Sequence, residues 1–343
     1  FLAEVGAGRG ALQQPLDAVD AYNRAVEVNP RAFAAMDALE NIHRSEGMWR
    51  EAVEVMEKRV LAFDEPAQKI EQLLTIAKTW AGPLENADGG TSAFQRIVEL
   101  EPLHPYAFER LEALHKDAKR WEDLIELYVN RVENVEETGE SVKLLRKTAK
   151  VYEEKLNDLD QAFDALQVAW SLEYGDDKTL EELTRVTRAA GKWNELLTAA
   201  NEALQEAEDQ KTKITLCLQC AKWYGQELDH PDYALPYYQQ VQAVDPGNVY
   251  LMVSMAELYE KTQQWDALAQ TYGQIVATSD EPKVTADTYV KMGALASTHL
   301  GIPDQATGYY EKAIEVQPTH LQALVALEGI YGEKAQWRKL IDV

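Results

Sequence analysis

Few residues in this chain have types and spacings that could do chemistry. Its two cysteines stand together as Cys217-Leu-Gln-Cys220, a spacing that suits a redox dithiol or half of a zinc site. A zinc site needs four ligands, and no second pair is present. A redox pair normally sits at a helix N-terminus, where the thiolate is stabilised. The histidines, at 43, 104, 115, 230, 299 and 320, are scattered. No HExxH, no Ser-His-Asp arrangement and no phosphate-binding glycine loop occurs; Gly89-Gly90 is read as a turn and is not followed by Lys-Ser/Thr. Carboxylate pairs such as Glu136-Glu137 read as solvated helix faces. These residues lead to no expected catalytic group, metal ligand or cofactor, and the chain is not expected to be an enzyme.

Composition narrows the partners. The chain has 343 residues, 46% of them hydrophobic, with 58 acidic and 34 basic residues and a net charge of -24. So acidic a chain repels a phosphate backbone, which makes nucleic acid a poor partner. No apolar run is long enough to span a membrane. The opening FLAEVGAGRG lacks both a starting Met and the layout of a signal peptide. The chain is therefore expected to be a piece of a longer protein.

The elements that would position any site come from a repeat. Trp49, Trp121, Trp193, Trp265 and Trp337 are spaced 72 residues apart. Pro30, Pro102, Pro246 and Pro318 share another phase, with Tyr174 in the remaining slot. Tyr22, Phe94, Leu166, Tyr238 and Tyr310 share a third. Each 72-residue unit divides into two similar helical halves. Ala234-x3-Tyr238-x2-Val241-x4-Pro246 recurs as Ala306-x3-Tyr310-x2-Ala313-x4-Pro318 and as Ala18-x3-Tyr22-x2-Ala25-x4-Pro30. The basic unit is thus a helix pair of about 36 residues, with units at about 1–30 (partial), 31–66, 67–102, 103–138, 139–174, 175–210, 211–246, 247–282, 283–318 and 319–343 (partial). One pair cannot bury its apolar stripe alone, so stacking and end caps are needed. By phase, residue 1 and Val343 both fall inside helices. Neither end looks capped, so residues 1–343 are expected to form a single solenoid cut from a longer array.

The small-x3-aromatic-x2-small-x4-Pro pattern resembles the tetratricopeptide repeat, whose first-helix pattern appears as Leu145-x2-Thr148-Ala149-x2-Tyr152. Units longer than the family's usual length are read as carrying the excess in turns such as LGIPDQ and LDHPDY. The recurring Trp is no part of the general family pattern and is expected to wedge against the helix before it. Long alternating arrays of this kind resemble those of large bacterial proteins, myxobacterial ones especially. The resemblance implies an all-α solenoid, a right-handed superhelix of helix pairs, that binds peptides or helices of other proteins in a concave groove lined by first helices. Asn41 matches one position of the family's chaperone-peptide clamp, but Asp37 stands where that clamp needs Lys.

The grid also decides the cysteines. The slot of Cys217 holds Leu73, Leu145 and Tyr289 elsewhere, and that of Cys220 holds Ile76, Thr148 and Met292. Both are expected to be buried as small hydrophobes. His43 and His115 share a slot filled by Tyr259 and Tyr331 elsewhere and are likewise read as packing residues. The groove positions implied by the resemblance carry Lys143, Arg146 and Lys150 at i, i+3 and i+7, hence on one helix face. Arg185, Arg188, Lys78 and Lys222 extend this basic stripe, whose two readings are a solvated face with glutamate partners and a cradle for an acidic peptide. Tyr250, Val253, Val290 and Ala294 give the groove an apolar half, followed by Val325. The leading reading is a protein–protein interaction scaffold that holds an acidic or amphipathic partner segment in its groove. The alternative is a structural spacer or assembly element of a large complex, acting through chain-to-chain contacts.

Overall fold

The computed structural model describes residues 15–334 together with 336 and 338. Trp337 and the first residue, both used in the phase argument above, lie outside the described residues. The described residues hold eighteen α-helices and no strand. They are α1 (Pro15–Val28), then the pairs α2 (Phe33–Ser45) and α3 (Trp49–Ala62), α4 (Pro66–Ala81) and α5 (Ala87–Leu100), α6 (Pro105–Asp117) and α7 (Trp121–Asn134), and α8 (Thr138–Val151) and α9 (Leu159–Leu172). There follow α10 (Asp177–Ala190) and α11 (Trp193–Glu206), α12 (Gln210–Lys222) and α13 (Pro231–Val244), α14 (Val249–Lys261) and α15 (Trp265–Thr278), α16 (Pro282–Thr298) and α17 (Pro303–Val316), and finally α18 (Leu321–Glu333). This is the all-α architecture of a repeat solenoid. Its contacts group into two compact units, residues 1–192 and 193–343.

Local chemistry starts and stops these helices. Asn86, Asp158, Asp176, Asp209 and Asn248 cap α5, α9, α10, α12 and α14, each accepting the N–H three residues on. His104 and His320 do the same with ring Nδ1, for Ala107 and Ala323. Proline opens α4, α6, α13, α16 and α17, where its missing N–H costs nothing. The turn inside each pair passes through one left-handed residue: Gly47, Lys119, Gly191 and Gln263 on one 72-residue phase, Glu85, Asn157, Asp229 and Gly301 on another.

The pairs are of two kinds in strict alternation. First helices begin at Phe33, Pro66, Pro105, Thr138, Asp177, Gln210, Val249, Pro282 and Leu321, so successive starts are 33 and then 39 residues apart. The average of 36 is met by this alternation. Turns such as Leu228–His230 take only part of the added length. The larger part lies in the first helix: α4 has 16 residues and α16 has 17, while α8 and α12 continue into π turns, Tyr152–Leu156 and Trp223–Glu227. Gly89-Gly90 is not a turn either. It opens α5, and a Cβ on Gly89 would overlap the Trp80 indole.

Each unit has its own apolar interior. In residues 1–192 the core runs through Met56, Leu73, Ile76, Phe94, Ile97, Leu111, Leu124 and Tyr128. In residues 193–343 it runs through Tyr238, Met252, Met255, Leu268, Tyr272 and Ile275, with a second cluster around Tyr310 and Leu327. The periodic aromatic slot is buried at Tyr22, Phe94, Leu166, Tyr238 and Tyr310. Trp49, Trp121, Trp193 and Trp265 are all half-buried at the first position of a second helix. Two of them make a contact forward, beyond the expected packing on the helix before. Trp265 stacks on His299 at the end of the following long first helix, centroids 3.8 Å apart, and Lys155 lies 5.7 Å from the Trp121 ring at the equivalent place.

Candidate functional site

Cys217 and Cys220 are both free and buried. Their side chains lie on the face of α12 that packs into the core, where Leu73 and Ile76 are equally buried on α4. Burial pushes both thiols upward, Cys220 to about 12, so neither is a thiolate at neutral pH. Cys217 has the Gln240 amide oxygen 3.7 Å from Sγ. Among the described residues no three of His, Cys, Asp and Glu stand close enough together to hold a metal ion, and no helix is long and apolar enough to cross a membrane.

The basic stripe lies on α8 and α10, both in residues 1–192. Arg146 reaches Glu182 with two nitrogens, at 2.9 and 2.5 Å, and Asp176 lies 3.8 Å away. Hydrogen bonding to Glu182 raises the guanidinium pKa, overcoming its partial burial. Arg185 reaches back to Glu153 in the same forked manner, and that bond holds the Glu153 carboxyl below its ordinary range. Two reciprocal charge-assisted forks therefore tie neighbouring first helices together. Between them lies a cleft of about 230 Å³ that also includes Lys150, which pairs with Glu154 at 3.6 Å. Arg188 is exposed on α10. Lys78, Lys143 and Lys222 are exposed on α4, α8 and α12 and reach no carboxylate among the described residues.

The apolar positions lie on α14 and α16, in residues 193–343. Tyr250 is 77% exposed, and its hydroxyl donates to Glu281 at 3.4 Å. Val253 and Val290 are half-buried against the core, and Ala294 is exposed. Ala294 also lines a cleft of about 140 Å³ floored by Leu268 and Tyr272 and flanked by Trp265 and His299. Two neighbours escaped sequence reasoning. Leu218, in the grid slot of Arg146 and Val290, is 39% exposed on α12, and Leu321 is 72% exposed on α18, near Val325 at 58%. The grid contained a partial signal for Leu218, since its slot is fully buried in none of its described units: Leu74, Arg146 and Val290 are half-buried there. Leu321 has no such signal, because it opens a helix and its exposure depends on how the turn before it runs.

One description of known families matches this chain: the tetratricopeptide repeat, at residues 35–62. No curated protein matches. Among solved structures the chain is similar to YrrB, a TPR protein with an unusual peptide-binding site, at 19% identity over 59% of this chain and 98% of that one, with a TM-score of 0.36. It is similar to MamA at 18% identity over 47% of this chain and 89% of that one, TM-score 0.36. It is also similar to human IFIT1, solved as a dimer with m7Gppp-AAAA, at 14% identity over 98% of this chain and 81% of that one, TM-score 0.35. Scores this low carry no ligand and no role over to this chain. The family match covers the first complete helix pair, and the later pairs repeat its small and aromatic core positions on one grid. The chain is thus similar to tetratricopeptide repeat proteins, with a matched repeat at residues 35–62, and repeats of this kind support, in general terms, a protein-interaction scaffold.

Proposed function

We propose that this chain is a non-catalytic scaffold that holds a partner segment against the groove face of its first helices, with the apolar half as the principal contact. The observation that carries this reading is a row of apolar side chains at groove slots of successive first helices in residues 193–343, of which Leu218, Tyr250, Ala294 and Val325 are exposed and Val253 and Val290 half-buried. A folded chain gains nothing from exposing a row of this kind, whereas an amphipathic helix or peptide could bury it. Tyr250 is the natural anchor, a large ring with a polar tip. The basic half, Lys78, Lys143, Arg146, Lys150, Arg185, Arg188 and Lys222, supports the reading less. Arg146 and Arg185 already have carboxylate partners, so an acidic ligand would have to displace Glu182 and Glu153. A role for those charges in steering an acidic segment is compatible with this arrangement.

The test compares two paired variants by partner pull-down, with photo-crosslinking from position 250. Tyr250→Ala with Val253→Asp is expected to lose the partner. Arg146→Glu with Arg185→Glu is expected to weaken capture modestly and to change its salt dependence. Loss only in the second variant moves the site to the basic half. Retention in both removes the groove from consideration.

A further inference from the structure

His115 lies in the last turn of α6, with its side chain only 3% exposed. It lines a cleft of about 250 Å³ bounded by α5, α6 and α7, all within residues 1–192. Three carboxylates share that cleft: Glu99 from α5, and Asp123 and Glu126 from α7. No basic side chain lines it. The nearest contact between His115 and an acid is Nδ1 to Asp123 Oδ2 at 3.8 Å, too long for a hydrogen bond. The ring is thus almost wholly buried and lines an acidic cleft, with Asp123 at ion-pair distance and no hydrogen bond to any described residue.

This arrangement is unusual in its surroundings. Arg96, Arg120 and Arg131 all have carboxylate partners, namely Glu57, Asp88 and Glu140. The three acids of the cleft have no Lys or Arg partner among the described residues. The pair 72 residues earlier carries Glu27, His43, Glu51 and Glu54 in the same slots, but it has Lys58 where this cleft has Asn130. There the sequence brings its own cation to the set.

We propose that the cleft binds the guanidinium group of an arginine side chain presented by a basic segment of a partner protein. Three carboxylates supply the counter-charge. A neutral imidazole has one acceptor nitrogen in either tautomer, and so can accept from a guanidinium N–H. The planar fork of arginine delivers several donors at once and sheds its water more readily than an ammonium. Leu111 and Leu127 form an apolar wall suited to the methylene stem. The rim is open, with Glu99, Glu126 and Asn130 exposed, as suits a side chain attached to a backbone better than a free small molecule that must be enclosed. Burial keeps His115 neutral by lowering its pKa, with Asp123 and Glu126 opposing that effect and Arg120 adding to it. Protonation and arginine binding therefore compete. This cleft lies between second helices and the end of a first helix, apart from the groove slots described above.

The experiment titrates the 343-residue chain with Nα-acetyl-arginine amide at physiological salt and follows the histidine ring signals by NMR. Nα-acetyl-citrulline amide is the neutral match. The expected result is a saturable shift of the His115 signals with the arginine probe alone, together with a fall in the His115 pKa as the probe is added, since linkage is reciprocal. Asp123→Asn with Glu126→Gln should weaken binding about 10-fold or more, as loss of charge-assisted bonds implies. Asn130→Lys, which installs the lysine of the earlier pair, should abolish it. No saturable shift, an equal shift with the citrulline probe, or full binding by either variant overturns the proposal.

Discussion

Lys119 occupies a left-handed turn position that glycine fills in two of its three grid equivalents, and replacing it should stabilise the protein. Its φ is 56°, against 71° at Gly47 and 72° at Gly191. An L-residue in this region carries a steric cost of about 1–2 kcal/mol between Cβ and the carbonyl. Glycine removes that cost but adds about 0.5–1 kcal/mol of chain freedom to the unfolded state. Lys119 is exposed and reaches no carboxylate among the described residues, so no side-chain contact is lost. The turn's backbone bonds, Lys119 N–H to Lys116 O at 3.2 Å and Arg120 N–H to His115 O at 2.9 Å, survive the change. The net expectation for Lys119→Gly is a gain of about 0.5–1 kcal/mol. Gly47→Ala is the converse. A Cβ there meets nothing within 4 Å, so its cost of about 1 kcal/mol comes from backbone conformation alone. Native-state hydrogen exchange of α6 and α7 is the suitable assay, because an array opens locally and a global midpoint dilutes a one-turn effect. Slower exchange is expected for Lys119→Gly. Faster exchange there, with no effect from Gly47→Ala, refutes the strain argument and places the turn's stability in side-chain contacts.

Cys220→Ala should cost about 1 kcal/mol as a small cavity opens, and both thiols should label slowly in the folded chain; fast labelling or bound zinc contradicts their placement. Glu112 is pushed upward by burial, but hydrogen bonds from Lys116, Tyr128 and Lys147 prevail and hold it at about 2. Its stabilising contribution is complete above the ordinary glutamate range and is lost as pH falls towards 2, so Glu112→Gln should flatten the acid limb of a stability–pH curve in that window. His43 and His115 are depressed by burial, so the unfolded chain takes up their protons first and stability should decline as pH falls below about 6.5; replacing both with Tyr, the residue of their slot elsewhere, should remove that decline in thermal melts. A double-mutant cycle of Arg146→Ala and Glu182→Ala should give a coupling of about 1 kcal/mol, less than a buried fork would give because both groups are partly wet; zero coupling would mark the pair as incidental.

The helix pairs and the buried aromatic slot were legible because a 72-residue spacing of tryptophan and proline survives without insertion, and because the same slots must be buried whenever pairs stack. The cysteines were legible for the same reason, since Leu73 and Ile76 report what their slots require. The 33/39 alternation was not, because a count between tryptophans averages over both kinds of pair. Nor was the direction of the tryptophan ring, which depends on how far the following first helix extends past its usual end. Within the basic stripe, Arg146 meets Glu182 and Arg185 meets Glu153 across helices 36 and 32 residues apart in sequence. Such pairings depend on the crossing of two helices, a quantity that periodicity within one helix does not contain. The acidic cleft at His115 was missed because the shared slot with His43 pointed to packing, and nothing in one helix announces the carboxylates that two others bring to it.

The alternation of short and long pairs has a bearing on how such a chain can grow. At two of the described junctions, those of Trp121 and Trp265, the tryptophan that opens a second helix meets the overhanging end of the first helix after it, so the short pair there is fitted to a long successor. Loss or gain of a single pair would set two like pairs side by side and leave one indole with no overhang to cover it. Loss or gain of two would leave every junction as it was. The unit whose loss or gain preserves these junctions is therefore the 72-residue doublet, and length variants that keep them are expected to differ by whole doublets.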